Sequence, residues 1–532
     1  MKSTRSLALG SLLLGVLSAS ARSAPEALEV APYPTPAGYK TVKTAKSLKE
    51  TPTSTGTSLA TGYLGVVVGE KAGRPVIEVV APDSPAESAG LKEGDVVTAL
   101  GDEKVLSAGA LREALRGKFA GDSVSLTVTR GGTAHVLTAK LKTTSAPMTA
   151  EERTFGRGGG GGWNDRLPRA WRKPTYNLAI IGVEYPDVKH NAKIADKDWE
   201  DSMFSLDTYT GKSATGQTVY GSMNDYYKEL SSGKFKIEGQ FVGWYEVSKK
   251  RMDYSSGSGT STGEKRALLT EALELYTKKA GKDALKEFDG VFFLYAGARV
   301  QTTRGGLYWP HRANVSFGGR SLPYFIVQEG GSTMNDISVF CHEFGHMLGL
   351  PDLYARPELP GSEGVWQWCA MSNQIGSGRP QHFGAWSKEV LGWVRPTVID
   401  PAVRQKLILS PIETDPTQCF KIKLTPDNSE YFLLEVRKKV GWDERLPGEG
   451  LLIWRVVKNK PVLEESHGVA GPLGPTVHLS AVPYPSSAND SFTPFTIPSS
   501  KSQLGVGTAV HITNIRRLPD GRVTFHIGYD FQ

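Results

Sequence analysis

The sequence predicts a multidomain α+β chain: a small β-rich unit, a central α/β unit and a C-terminal β-rich, sandwich-like unit. Three observations carry that reading. At 532 residues the chain is too long for one hydrophobic core and implies about three domains. Its apolar spacing is helical at several places in the middle and becomes short alternating runs beyond Pro396. Two stretches without apolar period, one rich in Pro, Thr, Ser and Ala and one dominated by glycine, set the units apart.

Taken in order, Lys2 and Arg5, an apolar run from Leu7 to Leu17 and the small residues Ala19-Ser20-Ala21 read as an export signal over 1–21. That run is short for a bilayer and no other segment approaches the length needed, so the mature chain is expected to be secreted or periplasmic, without a membrane span. Residues 22–61 are expected to be a flexible leader. Over 62–143 the runs Gly62 to Val66, Val76 to Val80, Ser123 to Thr129 and His135 to Leu141, with an amphipathic helix from about Ser107 to Gly117, predict a compact β-rich domain. These segments resemble bacterial PDZ domains, most specifically at Gly90-Leu91-Lys92-Glu93-Gly94-Asp95. The resemblance implies that Tyr63, Leu64, Gly65 and Val66 capture the terminal carboxylate of a peptide that adds to a sheet edge. A C-terminal peptide ligand is therefore expected, from substrates or from the chain's own tail at Phe531-Gln532, unless the domain only packs on its neighbour.

Residues 144–172 turn polar and then glycine-run, which reads as a flexible linker and also as a junction where a pro-segment could be cut away. From 173 to 396, strands near Asn177 to Val183 and Val291 to Tyr295 accompany helices near Asn224 to Leu230, Gly263 to Ala280 and Asn335 to Leu348. From 397 to 532, strands are expected at Lys406 to Leu409, Phe420 to Leu424, Tyr431 to Val436, Gly450 to Val456, Ala509 to Ile515 and Val523 to Ile527.

A net charge of +7 is modest for this length, and no dense Lys/Arg tract or aromatic-interleaved basic stripe occurs, so nucleic acid is not an expected partner. Three cysteines exclude a disulfide framework. Cys341 and Cys369 could pair or remain buried thiols, and Cys419 is left over.

The chemistry is concentrated in His342-Glu343-Phe344-Gly345-His346-Met347-Leu348-Gly349-Leu350-Pro351-Asp352. On a helix, His342 and His346 lie one turn apart on one face, where two imidazoles can grip one metal ion. A hydrolytic zinc site wants three protein ligands and an open position for water, whose pKa the ion lowers to about 7. Glu343 is then free to act as general base on that water and as acid to the leaving amine. Gly349 permits a backbone conformation closed to other residues and Pro351 blocks further helix, which aims Asp352 back as third ligand. Met371, in Trp368-Cys369-Ala370-Met371-Ser372, is placed to form the apolar floor found under the metal of metzincins. The motif departs from the usual metzincin pattern in offering Asp352 where many members have a third histidine, and Glu358 or Glu363 stay open as alternative ligands.

These residues resemble the M6 peptidases, the immune inhibitor A group of secreted bacterial zinc metalloproteases, whose motif has the same HExxHxxGxxD form. Further segments fit: Ile180 to Asp187, Asn224 to Tyr227, Ser231 to Phe235, Trp309-Pro310-His311, Gly384 to Lys388, Leu391-Gly392-Trp393, Glu430 to Glu435 and Leu446 to Trp454. Arg455 stands where the family leads one to expect a histidine. The resemblance implies a metzincin-like peptidase domain, Zn2+, structural Ca2+ and protein or peptide substrates. His311 and His382 are candidate transition-state donors.

The expected function is a secreted zinc endopeptidase with His342, His346 and Asp352 as ligands and Glu343 as general base. The alternative from another class is an extracellular peptide-binding or adhesion scaffold with a vestigial metal site. A second alternative places the enzyme among gluzincins, with a later glutamate as ligand, against which Met371 argues.

Overall fold

The computed structural model describes residues 34–48, 62–143 and 170–528, apart from 72, 81–83, 116–117, 119–121, 256–261, 303–305, 355–364, 426, 469–475 and 505–509 within them. The architecture is mixed α+β and mostly sheet. The predicted export signal and most of the glycine-rich stretch lie outside the described residues.

In the small N-terminal domain, the strands Val66–Lys71, Arg74–Val80, Val96–Leu100, Ser123–Arg130 and Thr133–Lys140 lie in that order across one sheet. Alternation buries Val124, Leu126 and Val128 on the face that also holds Ile77, Leu91 and Leu111. Asp95, 1 % exposed, accepts from Lys92 N and forms a two-point pair with Arg130, which ties the Gly90 to Asp95 turn to the sheet. Strand Val66–Lys71 is an edge of the sheet, and helix Ala108–Leu115 lies against it.

The central domain is a five-stranded sheet in the spatial order Lys236–Glu246, Thr175–Glu184, Gly290–Tyr295, Arg320–Gln328 and His311–Phe317. All neighbours are parallel except the edge strand His311–Phe317, which runs antiparallel. Parallel strands buried on both faces need apolar side chains in succession, and the sequence supplies them. Leu178, Ile180, Phe292, Leu294, Phe325 and Val327 point to one face, and Ile181, Val183, Val291, Phe293, Tyr324 and Ile326 to the other. Each such side chain stabilises by roughly 1.5–3 kcal/mol on burial. Helix Thr262–Ala280 covers the second face through Leu268, Leu269, Ala272, Leu273 and Tyr276. Helices Asp196–Phe204, Met223–Leu230 and Ile337–Met347 cover the first. Tyr227 Oη donates to the Cys341 carbonyl at 2.6 Å and so fastens two of these helices together.

Beyond Pro396 two sheets share one core built from residues such as Leu407, Leu409, Phe432, Leu434, Ile453 and Phe525. Strand Glu430–Arg437 is buried along its whole length because both its faces are covered. Phe432, Leu434 and Val436 enter the core between the sheets, while Tyr431 and Leu433 join the core that holds helix Ile337–Met347. The central and C-terminal domains therefore share a continuous apolar interior.

The stretch read as a flexible leader differs in its described part. Tyr39–Lys40 pairs in parallel with Gln405–Leu409, extending the C-terminal sheet. Gln405 accepts from Lys46 N at 2.6 Å and donates to Lys46 O at 3.1 Å, Thr397 Oγ1 donates to Val42 O, and Val42 and Ala45 pack on the core beneath. The composition carries no apolar period because backbone pairing with a remote sheet edge, rather than a buried helix or strand face, orders this segment.

Candidate metal centre

Helix Ile337–Met347 starts where Asp336 accepts from Ser338 N at 2.8 Å, an N-cap that satisfies one of the free first-turn donors. It ends because Gly349 adopts φ +101°, a region closed to side chains with a Cβ, and Leu350 N turns back to the Gly345 carbonyl at 3.1 Å. The chain then reverses and brings Asp352 against the helix. Asp352 Oδ1 lies 3.1 Å from His342 Nε2 and 3.0 Å from His346 Nε2. Among the described residues this is the one group of three His, Cys, Asp or Glu side chains so gathered, its ligand atoms all within 4.8 Å of one another.

The hydrogen bonds fix which ring nitrogens face the cluster. His342 Nδ1 donates to the Ala370 carbonyl at 2.8 Å and His346 Nδ1 to the Leu350 carbonyl at 2.7 Å. A carbonyl only accepts, so both Nδ1 atoms carry protons and both neutral rings turn a lone pair toward Asp352. A carboxylate oxygen facing two lone pairs requires a proton or a cation between them, and a divalent cation meets both rings at once. The donor set of two imidazoles and one carboxylate suits zinc, which these three groups would hold. With no cation there, both rings would have to be protonated toward Asp352; burial raises its carboxyl, and only then would the charge of His346 and hydrogen bonds from both rings outweigh that and hold the group far below the usual carboxylate range.

Glu343, 5 % exposed, follows His342 on the same helix. Met371 is fully buried and presses on the helix between the two histidines: a Cβ on Gly345 would meet its Sδ at 2.3 Å, so any larger residue there would have to displace Met371. Tyr354 stacks near His342 at 6.2 Å between centroids, a neighbour that the motif does not announce. Glu358 and Glu363 lie outside the described residues. Cys341, Cys369 and Cys419 are all buried free thiols, so the Cys341–Cys369 bridge is corrected to the other alternative.

His311 and His382 have their rings engaged in other work. His382 Nε2 donates at 2.9 Å to Glu229, whose side chain is partly exposed, and its Nδ1 accepts from the buried Lys388 at 3.0 Å. His311 Nδ1 donates to Trp309 O at 2.6 Å and Nε2 accepts from Tyr324 Oη at 3.2 Å. Burial, aided by the charge of Lys265, pushes His311 down to about 4, against the opposing bond to Trp309. Between that value and its ordinary 6.5 the unfolded chain binds the extra proton, so stability is full above about 6.5 and is lost as pH falls toward 4. Comparing wild type with His311→Gln by denaturant unfolding, the stability difference should shift in the variant's favour by up to about 3 kcal/mol between pH 7 and pH 4. A difference independent of pH would contradict this assignment.

Arg455, where a histidine was expected, is 1 % exposed and works as a structural hub. Its guanidinium meets Glu430 at 2.6 Å and Glu464, and donates to the carbonyls of Ser499 and Lys501.

Fold and site together define the class: a sheet-rich α+β chain in which two histidines and a carboxylate converge at one end of a buried helix. The family model "Immune inhibitor A peptidase M6, catalytic domain" matches residues 178–294 and 314–395, and "PDZ domain" matches residues 62–141. The chain therefore carries an M6 catalytic domain of the immune inhibitor A family, preceded by a PDZ domain. It is 25 % identical over 280 residues to "Pre-pro-metalloprotease PrtV" of Vibrio cholerae, covering 41 % of this chain and 30 % of that one. It is 26 % identical over 309 residues to "Immune inhibitor A" of Bacillus thuringiensis, covering 45 % and 42 %. Over 121 residues it is 40 % identical to "Probable periplasmic serine protease do/HhoA-like" of Haemophilus influenzae, covering 23 % and 24 %. The chain thus spans less than half the length of each of these relatives.

Proposed function

We propose that this protein is a secreted, zinc-dependent endopeptidase that hydrolyses peptide bonds in proteins, with a metzincin-like catalytic domain. The carrying observation is that His342 and His346 each donate through Nδ1 to a carbonyl and point Nε2 at Asp352. A zinc ion held by these three groups supplies Lewis acidity and a bound water of lowered pKa. Glu343 takes the proton from the attacking water and delivers it to the departing amine, a role suited to a buried carboxylate beside the first ligand. Met371 gives the site an apolar floor that keeps the helix and the Asp352 turn in register. The strand His311–Phe317 is an edge of the sheet, along which an extended substrate can lie.

The PDZ domain supports a second binding event. Strand Val66–Lys71 is an open edge, and the turn through Leu64 and Gly65, where Gly65 has φ +84°, leads into it from Tyr63 to Val66. That geometry suits a peptide C-terminus captured on backbone amides. Secretion is supported by the predicted export signal, and among the described residues no helix is long and apolar enough to cross a membrane. Structural calcium remains an implication of the family resemblance.

The deciding experiment incubates the purified chain and its Glu343→Ala variant with denatured casein, with and without a chelator. Cleavage that the chelator stops, added zinc restores and the variant lacks is the expected result. Equal behaviour of all samples would defeat the proposal in favour of a binding scaffold.

A further inference from the structure

We propose that Arg437 and Asp443 of the C-terminal domain are positioning residues for the metal centre: together they grip the Met371 turn, whose Ala370 carbonyl sets the tautomer and angle of His342. The inference rests on the zinc peptidase reading above.

A metal-binding imidazole needs its second nitrogen fixed, since that bond chooses the tautomer and aims the lone pair. For His342 the fixing group is the Ala370 carbonyl, 28 residues away in sequence and on a turn that is not regular secondary structure. The turn must therefore be held by something else. Part of the hold is local: Ser372 N donates to Cys369 O at 2.9 Å, and Leu353 N to Met371 O at 2.7 Å, which couples the turn to the Asp352 segment.

The rest comes from the C-terminal domain. Arg437 closes the strand Glu430–Arg437 and is wholly buried. Its Nη1 donates to the Trp368 carbonyl at 2.9 Å, two residues before Ala370. Its Nε donates to Asp443 Oδ2 at 2.7 Å. The other oxygen of Asp443 accepts from His382 N at 2.8 Å, and the His382 carbonyl in turn accepts from Ala370 N at 3.3 Å. One ion pair thus holds both the entry to the turn and the strand of chain lying against it. Both bonds to the catalytic domain reach backbone groups, so they set backbone position whatever the side chains there. A planar guanidinium can serve a carbonyl and a carboxylate at fixed angles, which a single ammonium cannot do.

The test uses the full-length protein with Arg437→Lys and Asp443→Asn, and Arg455→Lys as a matched control. Arg455 is an equally buried arginine of the same domain that ties loop carbonyls at Ser499 and Lys501 and does not bond the Met371 turn. Zinc affinity is read by competition with a chromophoric chelator. For Arg437→Lys the dissociation constant should rise by about 10–100-fold, as for other groups that orient metal ligands. Asp443→Asn should move it in the same direction, and with either variant loaded at saturating zinc, kcat on a peptide substrate should fall more than KM rises. Arg455→Lys should lower the unfolding midpoint while leaving zinc affinity at the wild-type value. Wild-type affinity in both Arg437→Lys and Asp443→Asn overturns the proposal, as does an equal loss in Arg455→Lys, which would mean general loosening. Asp443→Asn carries the test if Arg437→Lys does not fold. Failure of the underlying reading is seen separately, as wild-type protein that takes up no zinc, and it takes the positioning role with it.

Discussion

Asp352→Ala is expected to lose zinc at concentrations that saturate the wild type, with affinity falling by about 10²–10⁴-fold. Removing one partner from a buried, charged cluster costs roughly 3–5 kcal/mol, and each 1.4 kcal/mol is tenfold in affinity. Asp352 supplies the only carboxylate in the cluster, and its Oδ1 is the atom at which both imidazoles converge. Glu343→Gln is the informative contrast. Glutamine is near in size but cannot accept the proton, so hydrolysis should fall by about 10²–10⁴-fold while zinc uptake stays at one ion per chain. Equilibrium dialysis with metal analysis, set beside casein hydrolysis, separates the two. Zinc retained by Asp352→Ala at wild-type affinity would remove Asp352 from the ligand set. Undiminished hydrolysis by Glu343→Gln would remove Glu343 as the base.

The largest effect on stability is expected for Trp454→Ala, a loss of about 3–5 kcal/mol from cavity formation, with more from the orphaned partner of its indole. Trp454 is fully buried, donates through Nε1 to Glu435 at 2.9 Å, and lies so close to Gly384 that a Cβ there would meet its ring at 2.5 Å. It belongs to the core that also holds Phe344 and Met371, so its loss should loosen the central and C-terminal domains together. Denaturant unfolding followed by tryptophan fluorescence measures this, and Trp454→Phe should restore much of the loss by refilling the space. A cost below about 1 kcal/mol for the alanine variant would show that the two domains do not share a working core.

The elements legible in the sequence were those with one strong period. The helices at 224–230, 263–280 and 335–348 and the strand at 523–527 emerge within a residue or two of the expected bounds. Several elements of the central domain did not, among them the strands Lys236–Glu246, His311–Phe317 and Arg320–Gln328 and the helices Asp196–Phe204 and Ala385–Leu391. Arg320–Gln328 contains Pro323, which reads as a demotion from strand, yet its position opposite Asn314 next to an edge strand tolerates it. The Gly318-Gly319 pair between that strand and His311–Phe317, with φ of 54° and 76°, was the hairpin signal available. Lys236–Glu246 is interrupted by two glycines, and Asp196–Phe204 is polar over most of its length. In the C-terminal domain the inward-facing charges Glu435 and Arg437, in a strand otherwise apolar at alternate places, were the visible sign of a buried network.

By itself the sequence determined everything that acts within a turn of helix or the loop that follows it. Spacing by four puts His342 and His346 on one face, and Gly349 with Pro351 ends the helix so that Asp352 can return, because backbone sterics settle these matters locally. Only the tertiary structure decided which nitrogen of His342 faces the cluster, why glycine stands at 345, and what holds the Met371 turn. Those depend on Ala370, Met371 and Arg437, which reach the helix through sheet packing and a shared core, and no local spacing rule encodes a contact between groups so far apart along the chain.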